Sequence, residues 1–484
     1  MDVNEFIKKV QKKEIDVVEH TKKVIAECRK INSEYHYFNE ISEELALELA
    51  EAVAKNPKGR LAGLPVSVKD CICVKGVESR AGSRILTGYK PVFDATVIDK
   101  IKKEGGVIIG KTSQDEFGFG SFSVNVGLGM QIPLNPFDKK RSCGGSSGGS
   151  GGIAQKAGFP HISIGESTGG SIEAPASFCG VIGFCPTYGR VSRYGLMDYA
   201  NSFDKIGPMA KSMKDAALMM EIIAGFDANE STTIDEPVEK YTDYAGKDIK
   251  GIKIGVIKDA FGKGAEKSKI SGTTESGVSK EVSDAVWNGI KKLEHAAGVK
   301  YQEISLPITM KYGLAAYYLL ATAEASTNLA KFCGMRYGKH EKLEGSFNEY
   351  FTKVRSMHLT PEAKRRIMLG TFTRMAGYRD AYYLKATKVR TLIIEEYKKA
   401  FRKFDVLISP VLPILPPLIK DIEKLTPLQN YMADIMTVGP NLAGIPHASI
   451  PVGMAGKLPV GMMLMTDHLQ EGKLIQIGSA LENE

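Results

Sequence analysis

The chain has 484 residues, 43% of them hydrophobic and 25% charged. That balance excludes a disordered, collagenous or coiled-coil protein and allows one large core or up to about three domains. A formal net charge of +8 permits contact with an anionic partner such as RNA, but no long basic run or base-stacking motif accompanies it, so direct nucleic-acid binding is not the expectation. No apolar run approaches the roughly 20 residues of a membrane span, and the charged stretch at residues 1–20 lacks the apolar core of a signal peptide. The seven cysteines are scattered without a Cys-x-x-Cys pair, as expected of reduced thiols in a cytoplasmic protein.

Residues 3–56 read as helices: Val3, Phe6, Ile7 and Val10 share one face, followed by Val17, Val18, Val24 and Ile25, then Leu45, Leu47 and Leu49. Asn56-Pro57-Lys58-Gly59 is turn chemistry. Residues 64–69 read as a strand leading into Asp70, 95–103 as a helix and 107–109 as a buried strand, the alternation of a layered α/β fold. Residues 114–141, rich in glycine and proline, read as a long loop of the kind that carries function beside a rigid sheet. A short helix is expected at 148–157, a strand at 161–164, a helix start at 172–178, and a helix at 209–226 with Met213, Ala216, Ala217, Met220 and Ile223 on one stripe. A strand at 252–257 precedes a polar loop at 262–277. Helices are expected from about 280 and 314. A helical pattern from Pro361 to Tyr397 is long enough to need a break near Gly370 or Gly377. Residues 406–409 read as a strand and 442–465 as further short strands. No internal repeat or linker appears. The expectation is one α/β domain over 1–484, a mixed central sheet covered by helices on both sides, with N-terminal helices to about residue 58 and a catalytic core from about 61 to 478.

The chemistry concentrates between Cys143 and Pro175, where two glycine-embedded serine clusters are joined by a short apolar segment. Glycine lets backbone amides turn toward a ligand at a cost of roughly 0.5–1 kcal/mol each in a regular element, which points to a nucleophile site with Ser171 and Ser146 as candidates. Gly105-x-x-x-x-Gly110-Lys111-Thr112 fits the Walker A expression. Its intervening Gly106-Val107-Ile108-Ile109 is a buried-strand sequence, not an open phosphate nest, so the match is read as false. Gly144-x-Ser146-x-Gly148 fits a nucleophile elbow, but no strand precedes it, and the downstream His447 and His468 sit in ordinary settings.

The same stretch resembles the amidase signature family. Residues 143–150 are similar to its GGSSGGS motif, 165–175 to its TGGSI segment, and 64–70 to the strand carrying its catalytic lysine. More narrowly, Pro186-Thr-Tyr-Gly-Arg-Val-Ser-Arg-Tyr-Gly-Leu, Phe203-Asp-Lys-Ile-Gly-Pro, residues 317–338, 364–372 and Pro440-Asn-Leu-Ala-Gly-Ile-Pro resemble the A subunits of tRNA-dependent amidotransferases. The resemblance covers about residues 3–480. It implies Ser171 as nucleophile, Ser146 as bridging serine and Lys69 as base. One extra residue between the clusters leaves Ser147 a rival to Ser146. The amides of Thr168, Gly169, Gly170 and Ser171 are expected around the oxyanion, an interaction worth about 3–4 kcal/mol per donor. Lysine serves as a base only when neutral, which a desolvated site favours.

The resemblance also places Tyr317, Arg366 and Asp434 at the substrate, with Tyr318 and Arg365 as neighbours that could hold the first two roles instead, and Phe119-Gly120-Ser121 along the pocket. Cleaving free glutamine calls for a guanidinium for its α-carboxylate and a carboxylate for its α-ammonium. Three positions depart from the family pattern: Glu166-Ser167 stands where Ser-Asp is common, Glu173 where Arg usually follows, and Cys143 where Pro is frequent. The implied activity is glutamine hydrolysis, with ammonia passed to a B subunit that amidates Glu-tRNA(Gln) or Asp-tRNA(Asn) using ATP and Mg²⁺, and a small C subunit bracing the pair. No cofactor or metal is expected in this chain. A stand-alone small-molecule amidase with the same three groups is the alternative.

Overall fold

The computed structural model describes residues 1–262 and 277–482; the polar loop expected at 262–277 lies almost wholly outside the described residues. Its central layer contains β1 (Phe38–Ile41), β2 (Pro65–Lys69), β3 (Val107–Thr112), β4 (Ile162–Ser167), β5 (Ile182–Cys185), β6 (Lys205–Ala210), β7 (Ile254–Ile257), β8 (Gln302–Ile304), β9 (Val406–Pro410), β10 (His447–Ala455) and β11 (Leu458–Met465). They form one 11-stranded mixed sheet in the order β1-β3-β2-β4-β6-β5-β10-β11-β9-β7-β8. β2 runs parallel to β3 and β4, and β7 runs parallel to β8 and β9. The strands between these wings are joined antiparallel.

β2, β3, β4, β5, β6, β9 and β11 are buried along their whole lengths, as strands with helices packed on both faces must be. This is the mixed α/β fold expected. The first helix, Val3–Gln11, starts on Asp2, whose carboxylate accepts the Glu5 N–H at 2.7 Å, and buries Val3, Phe6, Ile7 and Val10. Among the described residues no helix is long and apolar enough to cross a membrane.

Several local expectations are corrected. β1 lies inside the section read as purely helical. Left-handed His36 ends the helix Val17–Tyr35, and a four-residue edge strand with only Phe38 buried carries no alternating signal. Met209 and Ala210 belong to β6, not to the helix expected from 209. That helix is Met213–Ile223, capped by the Ser212 hydroxyl accepting the Asp215 N–H at 3.1 Å. β5, β8 and the helix Phe347–His358 had no expectation of their own. The helix expected from about 314 begins at Pro307, whose missing N–H suits a first turn. Residues 442–443 end the helix Val438–Ala443, and the strands beyond are a long β10–β11 hairpin.

The long helical pattern divides as Pro361–Arg374 and Lys385–Phe401, with Gly377 at φ +85° between them. Gly370 does not break the first helix. It lets the backbone pass against the Thr322 carbonyl on the helix Pro307–Asn328. The Walker-like Lys111 is buried in the sheet, where its ammonium donates to the carbonyls of Asp70 (3.2 Å) and Ile72 (2.5 Å) and to the Ser79 hydroxyl (2.7 Å).

Candidate active site

The parallel β2–β4 pair sets the site. Val68 lies opposite Ile164, so Lys69, the last residue of β2, comes beside Glu166 at the carboxyl-terminal edge of the sheet, where α/β folds present their reactive groups. Lys69 is fully buried. Its Nζ lies 2.8 Å from Ser146 Oγ, 2.9 Å from the Glu166 carbonyl and 2.8 Å from Glu166 Oε2. The Gly145–Ser146 peptide is cis. Ser147 points elsewhere. Its hydroxyl donates to the Glu166 carbonyl at 3.0 Å, and its N–H donates to the Ser171 carbonyl at 3.2 Å. Of the two rival serines, Ser146 touches the lysine and Ser147 ties the two clusters together.

The loop carrying Ser171 is held on several sides. Thr437 Oγ1 donates to the Gly169 carbonyl at 2.5 Å, and the Ile172 N–H donates to Glu173 Oε2 at 3.0 Å. Gly170 takes φ +148° where Thr437 leaves no room for a side chain. The Gly170 N–H donates to Ser167 Oγ at 3.2 Å, which corrects the expectation that this amide faces the oxyanion. Thr168 turns its hydroxyl toward Glu166 and Asp204. The amides of Gly169 and Ser171 make no hydrogen bond within the protein among the described residues, and they remain as donors for a developing negative charge.

Beside this loop two buried groups carry the opposite charges that the ends of an amino acid call for. Arg366 is almost fully buried, 3% exposed against 43% for the Arg365 side chain, which pairs outward with Glu362. Its Nε donates to Glu362 Oε1 at 2.8 Å and its Nη1 to the Tyr199 hydroxyl at 2.7 Å, leaving Nη2 without a protein acceptor among the described residues. The rings of Phe119, Tyr199, Tyr318 and Tyr431 surround the guanidinium at 5.2–5.7 Å, a cage that stabilises a desolvated cation. Across from it, Asp434 Oδ2 accepts from Tyr318 Oη at 2.7 Å and Ser121 Oγ at 2.9 Å. Burial, partly offset by these hydroxyls and by Arg366, pushes the Asp434 carboxyl up to about 6. Tyr317 does not reach Asp434; its ring packs on Gly169, next to the nucleophile. The adjacent tyrosines therefore take separate places.

A family model described as Amidase matches residues 16–475. The chain belongs to the amidase family. Among curated relatives, this amidase is 46% identical over 470 residues, 96% of the chain and 93% of the relative, to the glutamyl-tRNA(Gln) amidotransferase A subunit of Koribacter versatilis. It is 44% identical over 436 residues, 90% of the chain and 87% of the relative, to the protein of the same name from Halothermothrix orenii. Among solved structures, it superposes on the glutamyl-tRNA(Gln) amidotransferase A subunit of Thermotoga maritima with a TM-score of 0.80 and 33% identity, covering 100% of this chain and 94% of that one. The native peptide amidase of Stenotrophomonas maltophilia, at 24% identity and TM-score 0.78 with 100% and 96% coverage, shares the fold.

The positions where this amidase departs from its family's motifs form two buried networks. Glu166 is bonded to Lys69. Glu173 faces away from the pocket: besides the Ile172 N–H it accepts from Ser167 Oγ (2.7 Å) and Asn441 Nδ2 (2.8 Å), and it contacts His447 Nε2. Burial would raise the Glu173 carboxyl, but His447, Lys205 and Asn441 more than offset this and hold it at about 2. Glu173, Cys185 and His447 present ligand-type atoms within 4.8 Å of one another. Lys205 beside the cluster would oppose a dication there, and burial and Lys205 also lower His447, so we read the cluster as a hydrogen-bonded network bracing the loop that carries Ser171.

His447 is thus occupied, and His468 contacts the Ala443 carbonyl at 3.0 Å; neither is bonded to a candidate serine. Cys143 is buried and its thiol is pushed well up by burial. Asp115 escaped the sequence reading. It accepts the Ser123 and Asn125 N–H groups (3.0 and 2.8 Å) and packs on Gly120 and Gly145, while burial raises it to about 7. Its position inside a glycine-rich loop was the available signal.

Proposed function

We propose that this amidase is the glutamine-hydrolysing A subunit of an aminoacyl-tRNA amidotransferase. The observation that carries the reading is the grouping of charges around the lysine–serine pair. Tyr318 stacks on the Arg366 guanidinium and donates to Asp434, and Lys69 contacts Ser146, so a cation and a carboxylate are available for the two ends of a free amino acid whose side-chain amide meets the nucleophile.

In the mechanism, Ser171 Oγ attacks the amide carbon as its proton passes to Ser146 Oγ and Ser146's own proton passes to the Lys69 lone pair. The carbonyl π electrons move onto oxygen, which the Gly169 and Ser171 amides stabilise. Collapse breaks the C–N bond, and the leaving nitrogen takes a proton from Ser146, which Lys69 replenishes. Ammonia departs, and water repeats the sequence on the acyl-Ser171 ester to release glutamate. Ser146 is the relay because it alone of the two central serines touches Lys69.

The names of the relatives support assembly with partner subunits. In this reading a B subunit, using ATP and Mg²⁺, activates Glu-tRNA(Gln), Asp-tRNA(Asn) or both in the cytoplasm. A C subunit braces the pair, charged tRNA engages mainly the B subunit, and ammonia crosses by a closed route. Ser171→Ala is expected to abolish glutamine hydrolysis and glutamine-dependent amidation of either charged tRNA, while amidation from added ammonia and assembly with the partners persist. Glutaminase activity that stays high and unchanged on adding partners and charged tRNA would instead mark a stand-alone amidase.

A further inference from the structure

Two of the three neighbours of Lys69 Nζ come from one residue, Glu166: its carbonyl oxygen at 2.9 Å and its Oε2 at 2.8 Å, with Ser146 Oγ at 2.8 Å as the third. A primary amine is tetrahedral. Beyond its bond to carbon it has three directions, all N–H in the ammonium, and two N–H plus a lone pair in the free base. A carbonyl and a carboxylate can only accept, so the two directions toward Glu166 hold N–H groups in either state. The third, toward Ser146, therefore holds the lone pair when the amine is free and the returning proton when it is charged.

We propose that Glu166 is the positioning residue of the base: it aims the Lys69 lone pair at Ser146, and its carboxylate stabilises the ammonium formed when Lys69 takes the serine proton. This rests on the relay proposed above and adds to it a carboxylate in contact with the base.

The surroundings keep Glu166 in place. Thr168 Oγ1 lies 2.9 Å from Glu166 Oε1 and 2.8 Å from Asp204 Oδ1. Thr168 has one hydroxyl proton, so the Glu166–Thr168–Asp204 chain shares one carboxyl proton. Asp204 also accepts the Tyr199 and Ala200 N–H groups at 2.9–3.0 Å, and burial, followed by the charges of Glu166 and Asp198, pushes it above the usual carboxylate range against the pull of Arg193. The Cys71 thiol, which Lys69 acts on, is pushed up by burial. Asp115, raised to about 7 by burial, is the other carboxyl on which Lys69 acts, together with Arg366. Glu166 is thus the carboxylate in hydrogen-bond contact with the base.

The test is the separate measurement of kcat and KM for glutamine hydrolysis in the assembled complex. Glu166→Gln keeps the shape and one acceptor oxygen but removes the charge. The expected result is a kcat lower by roughly 10-fold or more, with KM within about twofold. Glu166→Asp, which retains the charge, recovers part of the lost kcat, and Thr168→Val, which frees Oε1 but leaves the carboxylate, gives a smaller fall in kcat.

An unchanged kcat in Glu166→Gln, or a change confined to KM, overturns the proposal. Lys69→Ala separates this from failure of the relay. If it stays active, the relay and the proposal fall together; if it is inactive while Glu166→Gln behaves as the native chain, only the role of Glu166 falls.

Discussion

Arg366 and Asp434 carry charges that burial opposes, and each is held by what it touches. For Asp434 the balance is close. The carboxyl titrates near about 6, and only its anionic form can receive an α-ammonium. KM for glutamine is therefore expected to rise as pH falls through about 6, and Asp434→Asn to raise KM roughly 10- to 100-fold, the worth of one charged hydrogen bond at about 1.5–3 kcal/mol, with the pH dependence gone. Steady-state kinetics of both chains across this range check it.

The same raised value works against the fold. Below the ordinary carboxylate range native and unfolded chains are both protonated here and the contribution is fully present; it is lost as pH rises through about 6. The roles of adjacent residues were not legible in the sequence, because neighbours on a helix differ in direction by about a quarter-turn or more and either could face the pocket. Packing turns Arg366 rather than Arg365 inward onto Phe119, and sets Tyr317 against Gly169 and Tyr318 against Asp434. Glu166 was visible only as a departure from a motif; its contact with Lys69 depends on the pairing of two strands far apart in the chain.

Among the elements, the helix Gly148–Lys156 changes the meaning of the glycine cluster that first drew attention. Gly149 passes against the Ser113 backbone and Gly152 against the Tyr37 ring, with no space for a side chain. These glycines serve close packing of a helix onto its neighbours, whereas Gly170 serves backbone geometry at the nucleophile. Alanine in place of a helix glycine usually stabilises by about 1 kcal/mol. Gly152→Ala is expected to do the reverse, destabilising by about 1–3 kcal/mol through overpacking against Tyr37. Urea unfolding measures this, and a stabilised variant would contradict the packing account.

Elements with strong periodicity, such as Val3–Gln11 and Met213–Ile223, were readable as helices with their buried faces, though the start of the second was placed too early. β1 and β8 were not, because short strands with mostly solvent-facing residues carry no apolar alternation. β6 was hidden because Gly207 and Pro208 interrupt it, although β4 and β5 pair with it on either side.

At the scale of the whole molecule, the proposed catalytic groups and the proposed substrate-reading groups come from different parts of the sheet. Lys69 ends β2 and Ser171 follows β4 in one parallel wing. Tyr318 and Arg366 lie on helices between β8 and β9, and Asp434 lies between β9 and β10, in the chain that builds the other wing. The α/β alternation announced the fold class, but the meeting of these two sets required the full strand order.

The most direct test of the account is to trap the acyl-enzyme with a slow-reacting, electrophilic glutamine analogue and locate the adduct by peptide mass spectrometry. The account predicts one adduct on the Ser171 peptide, absent in Ser171→Ala, much slower in Lys69→Ala and suppressed by excess glutamine. An adduct on Ser146, on Cys143 or on any other residue, formed at the same rate without Lys69, would contradict it.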